Sequence, residues 1–332
     1  MKTIRWGIIG CGDVTEVKSG PGFQKARNSA LVAVMRRNGD LARDYAQRHN
    51  VPKWYDDAEA LIRDPDVDAV YIATPPYAHK QYTLMAAAAG KPVYVEKPMA
   101  MNYQECQEMI QACEEAGVPL WVAYYRRMLP RFLKIKTLLE EGAIGEPRFV
   151  TVTLTRPVGL QFRNPGAQGA EMPWRVDPAI AGGGLFVDLG SHILDYLDYF
   201  LGPVTQACGH AANQAGHYPA EDVVTGSFVF QSGVHGVGVW NFASYTAVDQ
   251  TEIVGSKGKL TFSSFGTEPV RLTTEKGTSE FDIETPRHVQ QPLIQTIVDE
   301  LNGQGKCPST GVSAARTNWV MDQLLRDYYR KG

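Results

Sequence analysis

The sequence predicts an α/β chain: a doubly wound parallel sheet, then an α+β domain with a large open, mostly antiparallel sheet. Three observations carry this. Through about residue 125, short and almost wholly apolar runs alternate with segments of helical period, as strands do when crossover helices cover both sheet faces. After Arg127 the runs become longer and alternate, as in "VTVTLT" and "TGSFVFQ", which suits strands covered on one face. The chain has 332 residues, enough for two cores. The predicted divisions are a nucleotide-binding domain over 1–125, an α+β domain over 126–305, and a helical segment over 306–332 that packs back on the first domain.

In chain order, "IRWGIIG" reads as the first strand and "ALVAVM" as the next, with "GDLARDYAQRHN" helical after it. "DDAEALIRD" is helical, "DAVYIAT" a strand, "YAHKQYTLMAAAAG" a helix and "PVYVE" a strand. "YQECQEMIQACEEAG" is a helix with Asn102 at its N-cap and Glu105 three residues on, and "PLWVAYY" is the next strand. Gly90 and Gly117 close two of these helices. Cys106 and Cys113 lie two turns apart on one helix, where a core role is expected. Beyond Arg127, "LPRFLKIKTLLEEGAIG" is an amphipathic helix. Seven strand-like stretches follow: "PRFVTVTLTRP", "DVVTGSFVFQ", "VHGVGVWNFA", "TEIVGS", "GKLTFSSF", "VRLTT" and "SEFDI".

The turn after the first strand, "GCGDVT", places Gly10 and Gly12 at the first and third positions of a dinucleotide fingerprint, with Cys11, Asp13 and Val14 completing the turn. Such a turn brings backbone amides close to a pyrophosphate at a helix N-terminus, the Rossmann arrangement. Thr15 stands where a third glycine is usual, so a larger residue must fit the helix–sheet contact. The next strand ends in Arg36, Arg37 and Asn38, not in the acidic residue that holds ribose hydroxyls. Guanidinium groups pair with a 2′-phosphate, so NADP is expected, with NAD possible if Asp40 turns in and the arginines point to solvent.

Ligands of open α/β sheets bind beyond the carboxyl ends of the strands. There the sequence puts Thr74, Pro75 and His79 in "ATPPYAH", Glu96 and Lys97 before Pro98, and Tyr124 and Arg126 in "VAYYRR". Farther on, "GGGLFVDLGSHILDYLDYF" carries Asp188, His192, Asp195 and Tyr199 at helical spacing, beside an apolar face. An acid and an imidazole four residues apart share a helix face, and His suits proton transfer near neutral pH. For Asp195 and Tyr199 a solvated stripe remains an alternative.

"GCGDV", "ATPPYAH", "EKP" and "GGGLFVDLGSH", in this order over essentially the whole chain, resemble the glucose-fructose oxidoreductase / inositol dehydrogenase / MocA (Gfo/Idh/MocA) family. The resemblance implies a nicotinamide-dependent oxidoreductase in which Lys97, Asp188 and His192 act at the substrate carbon, and a cis Lys97–Pro98 bond. It also implies that "PWR", with Trp174 and Arg175, reaches the cofactor, and that the open sheet joins two or four copies. Arg156 and Arg163 could meet an anionic substrate or simply be solvated.

A formal net charge of −3 and the absence of long basic runs give no reason to expect nucleic acid or an anionic membrane as partner. The N-terminus lacks a signal-peptide pattern and no apolar run is long enough to span a bilayer. Five scattered cysteines without a CxxC pair favour a reducing cytoplasm, and His210, His217 and His235 have no metal spacing. The expected function is hydride transfer at a secondary alcohol or ketone carbon of a sugar, cyclic polyol or derivative. A nucleotide-sensing regulator on the same fold is the alternative, and it would have no need of Lys97, Asp188 and His192.

Overall fold

The computed structural model describes residues 1–159 and 172–329. The chain forms two compact units, Met1–Leu129 with Pro286–Ala315, and Pro130–Thr285 with Arg316–Gly332. The final helix, Gly311–Tyr329, therefore begins in the first and continues in the second.

In the first unit the apolar runs form β1 (Ile4–Ile9), β2 (Ser29–Met35), β4 (Ala69–Ile72), β5 (Val93–Val95) and β6 (Leu120–Val122), with the short β3 (Lys53–Tyr55) between β2 and β4 in sequence. All pair in parallel, in the order β3-β2-β1-β4-β5-β6. This is the doubly wound sheet that the pattern predicts. Around it run α1 (Asp13–Val17), α2 (Gly20–Lys25), α3 (Gly39–Arg48), α4 (Ala58–Arg63), α5 (His79–Ala88) and α6 (Tyr103–Glu115). Asn102 caps α6 as its sequence predicts, its side-chain oxygen accepting from the Glu105 amide at 2.9 Å. Cys106 and Cys113 are buried with Val93, Val95 and Val122 in one apolar cluster. A second cluster is aromatic: Trp6 meets Phe23 at 4.8 Å and Tyr71 stacks on Tyr94 at 4.9 Å. Each fully buried side chain of this size contributes roughly 1.5–3 kcal/mol.

The second unit is built on α7 (Pro130–Glu140), β7 (Pro147–Thr155), α8 (Pro178–Ala181), a π-helical turn (Phe186–Gly190), α9 (Ser191–Leu201), and strands β8 (Val204–Ala212), β9 (Val223–Phe230), β10 (His235–Asn241), β11 (Val248–Gly255), β12 (Gly258–Phe262), β13 (Val270–Thr274) and β14 (Gly277–Phe281). Its eight strands run in the order β14-β13-β12-β11-β7-β10-β9-β8, and only β7 and β10 pair in parallel. One sheet face is covered: Phe132 of α7 and Tyr196 of α9 lie 5.1 Å apart, Tyr196 lies 5.7 Å from Phe262, and Phe186 meets Trp240 at 5.0 Å. The other face leaves Phe149, Val237, Val239 and Val248 exposed. β8 is absent from the sequence reading, because its alanines, cysteine and glycine give no alternation and little of it is buried. Among the described residues no helix is long and apolar enough to cross a membrane.

Candidate functional site

In the first unit the candidate residues cluster at the carboxyl ends of β1, β2, β4, β5 and β6. Gly10 has φ of +88°, and a Cβ there would stand 2.8 Å from the Thr74 side chain, so the position admits only glycine. The amides of Gly10 and Cys11 both donate to the Met35 carbonyl, at 2.8 and 3.1 Å, which moors the glycine turn to the end of β2. Gly12 is open: the nearest atom to a Cβ would be the Gly10 oxygen at 3.9 Å. Thr15, at the third fingerprint position, is buried, and its hydroxyl accepts from the Gly12 amide at 3.0 Å and donates to the Gly12 carbonyl at 2.8 Å. The larger residue thus closes the turn with its own hydroxyl. Asp13 and Val14 follow in the first turn of α1, where helix amides have no intrahelical acceptor. Burial pushes the Cys11 thiol up to about 11, a rise the nearby Arg36 charge partly offsets, so this thiol is not a nucleophile at neutral pH.

Arg36 and Arg37 leave β2 exposed, and among the described residues neither guanidinium has a carboxylate partner. Asn38 caps α3, its side-chain oxygen accepting from the Leu41 amide at 3.1 Å. Asp40, the alternative ribose ligand, is held by Arg43 at 2.8 Å.

After β4, the Thr74 hydroxyl is buried and has no hydrogen-bond partner among the described residues. Pro75 precedes the short turn Pro76–Ala78. His79 is fully buried, with Nδ1 3.0 Å from the Pro98 carbonyl and 3.2 Å from that of Met99, and Nε2 2.7 Å from that of Thr74. Burial holds its pKa below the ordinary imidazole value, against the pull of these carbonyls. His79 therefore lies between the loop after β4 and the loop after β5, where its neutral form donates its one N–H to backbone on one side.

Glu96 is buried at the end of β5. Its carboxylate accepts from the Tyr71 hydroxyl, from Gln290 Nε2 at 2.6 Å and from the Lys97 amide at 3.1 Å. Gln290 in turn accepts from Tyr94 at 3.1 Å. Lys97 follows, half-buried, and the Lys97–Pro98 bond is cis. Beyond β6, Tyr124 is fully buried, and Arg126 is buried with one guanidinium nitrogen donating to the Tyr125 hydroxyl at 3.1 Å. Burial raises the Tyr125 phenol, yet the charges of Arg126, Lys18 and Lys97 outweigh it and hold its pKa below the ordinary value. Neither Tyr125 nor Gln290 stands out in the sequence. Gln290 lies 194 residues from its carboxylate partner, beyond the reach of any local pattern.

In the second unit, Trp174 and Arg175 form a short turn in which the guanidinium lies 4.5 Å over the indole. Arg175 Nε stands 3.8 Å from the Asp188 carboxylate. Between them the glycine run is pinned: the Gly184 amide donates to Glu221 Oε1 at 2.9 Å, and a Cβ at Gly184 would stand 2.7 Å from the Glu221 carbonyl. Glu221 is wholly buried and also accepts from the Tyr329 hydroxyl. Burial raises its carboxyl to about 7.

Asp188 lies in the π-helical turn and His192 in the first turn of α9. Single π turns inside helices often mark functional sites. Asp188 keeps its side chain about one quarter exposed, 23%, whereas His192 is buried, with Phe265 6.2 Å away edge-on. Asp195 is fully buried, so it does not belong to a solvated stripe. Arg163 lies outside the described residues.

Comparison with known proteins bears on what this arrangement does. Residues 4–124 match a family described as an oxidoreductase family with an NAD-binding Rossmann fold, and residues 132–261 match the GFO/IDH/MocA C-terminal domain. Oxidoreductase P35 of Formosa agariphila is 40% identical, over 96% of this chain and 97% of its own. The 1,5-anhydro-D-fructose reductase of Ensifer adhaerens is 30% identical, over 92% of this chain and 91% of its own. Among solved structures, that of an aldose-aldose oxidoreductase from Caulobacter crescentus complexed with glycerol shares the fold, with a TM-score of 0.86 at 23% identity over 100% of this chain and 99% of the other.

Proposed function

The chain belongs to the Gfo/Idh/MocA oxidoreductases, and from that premise we propose that it transfers a hydride between NADP(H) and the secondary alcohol or ketone carbon of a sugar, a cyclic polyol or a derivative. The observation that carries the reading is the set of proton-handling groups at the motif positions: Lys97 within the electrostatic reach of Tyr125 in one unit, and Asp188 and His192 one helical turn apart in the other. Relatives named for a reductase of 1,5-anhydro-D-fructose and for a myo-inositol 2-dehydrogenase support the substrate class.

The first unit fits a dinucleotide. The open face of Gly12 leaves room for a pyrophosphate, and the buried Thr74 hydroxyl has a hydrogen bond to give. When bound, the nicotinamide donates or accepts the hydride. Lys97 and His192 exchange the hydroxyl proton, and Asp188 orients His192. Arg36 and Arg37, exposed and without carboxylate partners among the described residues, favour a 2′-phosphate, and Asn38 retains its amide hydrogens as donors.

The exposed Phe149, Val237, Val239 and Val248, on neighbouring strands, favour assembly into a dimer or tetramer through this sheet. Five scattered cysteines without a CxxC pair suit a reducing cytoplasm.

The test is a panel of aldoses, ketoses and polyols followed at the absorbance band of reduced nicotinamide. Turnover that Lys97→Met abolishes supports the reading, and turnover indifferent to that change overturns the assignment of Lys97. Cofactor binding with no turnover across the panel moves the weight to a regulator.

A further inference from the structure

Between the end of β7 and the π-helical turn the second unit has a half-open cavity of about 490 Å³, within the range that holds a small organic ligand. Asp188 opens onto it, so the cavity adjoins a residue assigned to the chemistry. Its walls are partly apolar, with Leu185, Leu189 and Phe242, and they carry two guanidinium groups, Arg156 and Arg175.

The two arginines differ in their company. Arg175 has a carboxylate, Asp188, at 3.8 Å and a flat aromatic surface in Trp174. Arg156 stacks on Phe265 at 5.2 Å, and among the described residues no carboxylate answers its charge. Its backbone is fixed at both ends: the amide donates to the Asn241 carbonyl at 2.8 Å, and the carbonyl accepts from the Ser244 amide at 3.1 Å. Among the described residues the cavity therefore carries two cations and one anion, and the cation without a carboxylate is the Arg156 guanidinium, stacked on Phe265 beside apolar walls.

The group that best answers such a half-buried guanidinium is a planar anion that accepts two parallel hydrogen bonds. We propose that the substrate carries a carboxylate, as a uronic or aldonic sugar acid does, and that Arg156 binds it in this cavity. A phosphate fits less well. Its second negative charge would meet only one net positive charge and would be repelled by Asp188. The proposal deepens the hydride-transfer reading and rests on it only in taking Asp188 to mark the reacting end of the substrate.

Matched probes test it: D-glucose with D-glucuronate and D-glucose 6-phosphate, and D-galactose with D-galacturonate. Each is assayed for nicotinamide reduction and for binding by calorimetry in the presence of oxidised cofactor. A uronate is expected to be preferred at least tenfold over its neutral partner. Arg156→Met should weaken uronate binding about 10- to 100-fold without moving cofactor affinity, and Arg156→Lys should recover part of the loss. Equal or better use of the neutral sugar, a preference for the phosphate, binding unmoved by Arg156→Met, or no uronate binding at all each overturns the proposal. Turnover of a neutral sugar, indifferent to Arg156, would sink the carboxylate site and leave hydride transfer standing. Uronate binding that depends on Arg156 but never reduces the cofactor would do the reverse.

Discussion

Replacing Glu221 by Gln should make the protein more stable at pH 8 and change it little near pH 5. Glu221 is wholly buried, pins the glycine run ahead of Asp188, and has its carboxyl raised by burial from 4.5 to about 7. The folded chain thus keeps a proton between roughly pH 4.5 and 7 that the unfolded chain has already released. In that window the folded state binds more protons, so this group's contribution to stability falls as pH rises and is flat above about 7. Integrated, the difference is about 3 kcal/mol. Glutamine keeps an oxygen to accept from the Gly184 amide, and its NH₂ can donate to the Tyr329 hydroxyl oxygen, so the geometry survives without the titration. Urea unfolding of wild type and Glu221→Gln at pH 5 and pH 8 measures the effect, since titrations common to both proteins cancel in the comparison. The gap between the two should shift in favour of the variant by about 2–3 kcal/mol from the lower pH to the higher. A gap that stays constant, or a variant weakened equally at both pH values, would refute the burial argument.

Lys97→Met and His192→Ala should each retain cofactor binding and lose about 10²- to 10⁴-fold in turnover on whichever substrate the panel identifies, read by steady-state kinetics. Near-wild-type turnover in both would remove the proton-transfer assignment. Arg36→Ala combined with Arg37→Ala should erode a preference for NADP(H) by about ten- to several-hundredfold in binding titrations, and a preference that survives the double change rules the arginines out. Val237→Lys with Val239→Lys, on the exposed face of β10, should convert a dimer or tetramer to monomers in light scattering. A wild type that is already monomeric at micromolar concentration defeats the assembly proposal.

The parallel sheet was legible because both its faces are covered, so β1, β4 and β5 are apolar along nearly their whole length. The caps were legible because they are local, as at Asn102. β8 was not, because its small residues leave no alternation to see. The candidate site divides in the same way. Glycine turns, Lys97 before a proline, and an acid four residues before a histidine are short-range patterns that a single sequence displays. The groups that hold them are joined over long separations. Glu96 finds Gln290, and Gly184 finds Glu221, 37 residues on, through the fold alone. Asp195 shows the limit most plainly: its helical register was right, but register cannot say whether a carboxylate faces water or core, and the structure buries it.

The bond between Gln290 and Glu96 has a consequence for how the chain is made. The nucleotide-binding unit is begun first on the ribosome, yet Leu293, Ile294 and Ile297, together with Gln290, are buried residues of its returning segment, Pro286–Ala315. Until that segment emerges, the nascent unit carries a core with a missing wall and a carboxylate whose amide donor has not been translated. The intervening unit, whose sheet lies between residues 147 and 281, can assemble its strands in the meantime. Each half thus waits on a late segment: the first on Pro286–Ala315, and the second on the still later stretch from Arg316, which brings Tyr329 to Glu221.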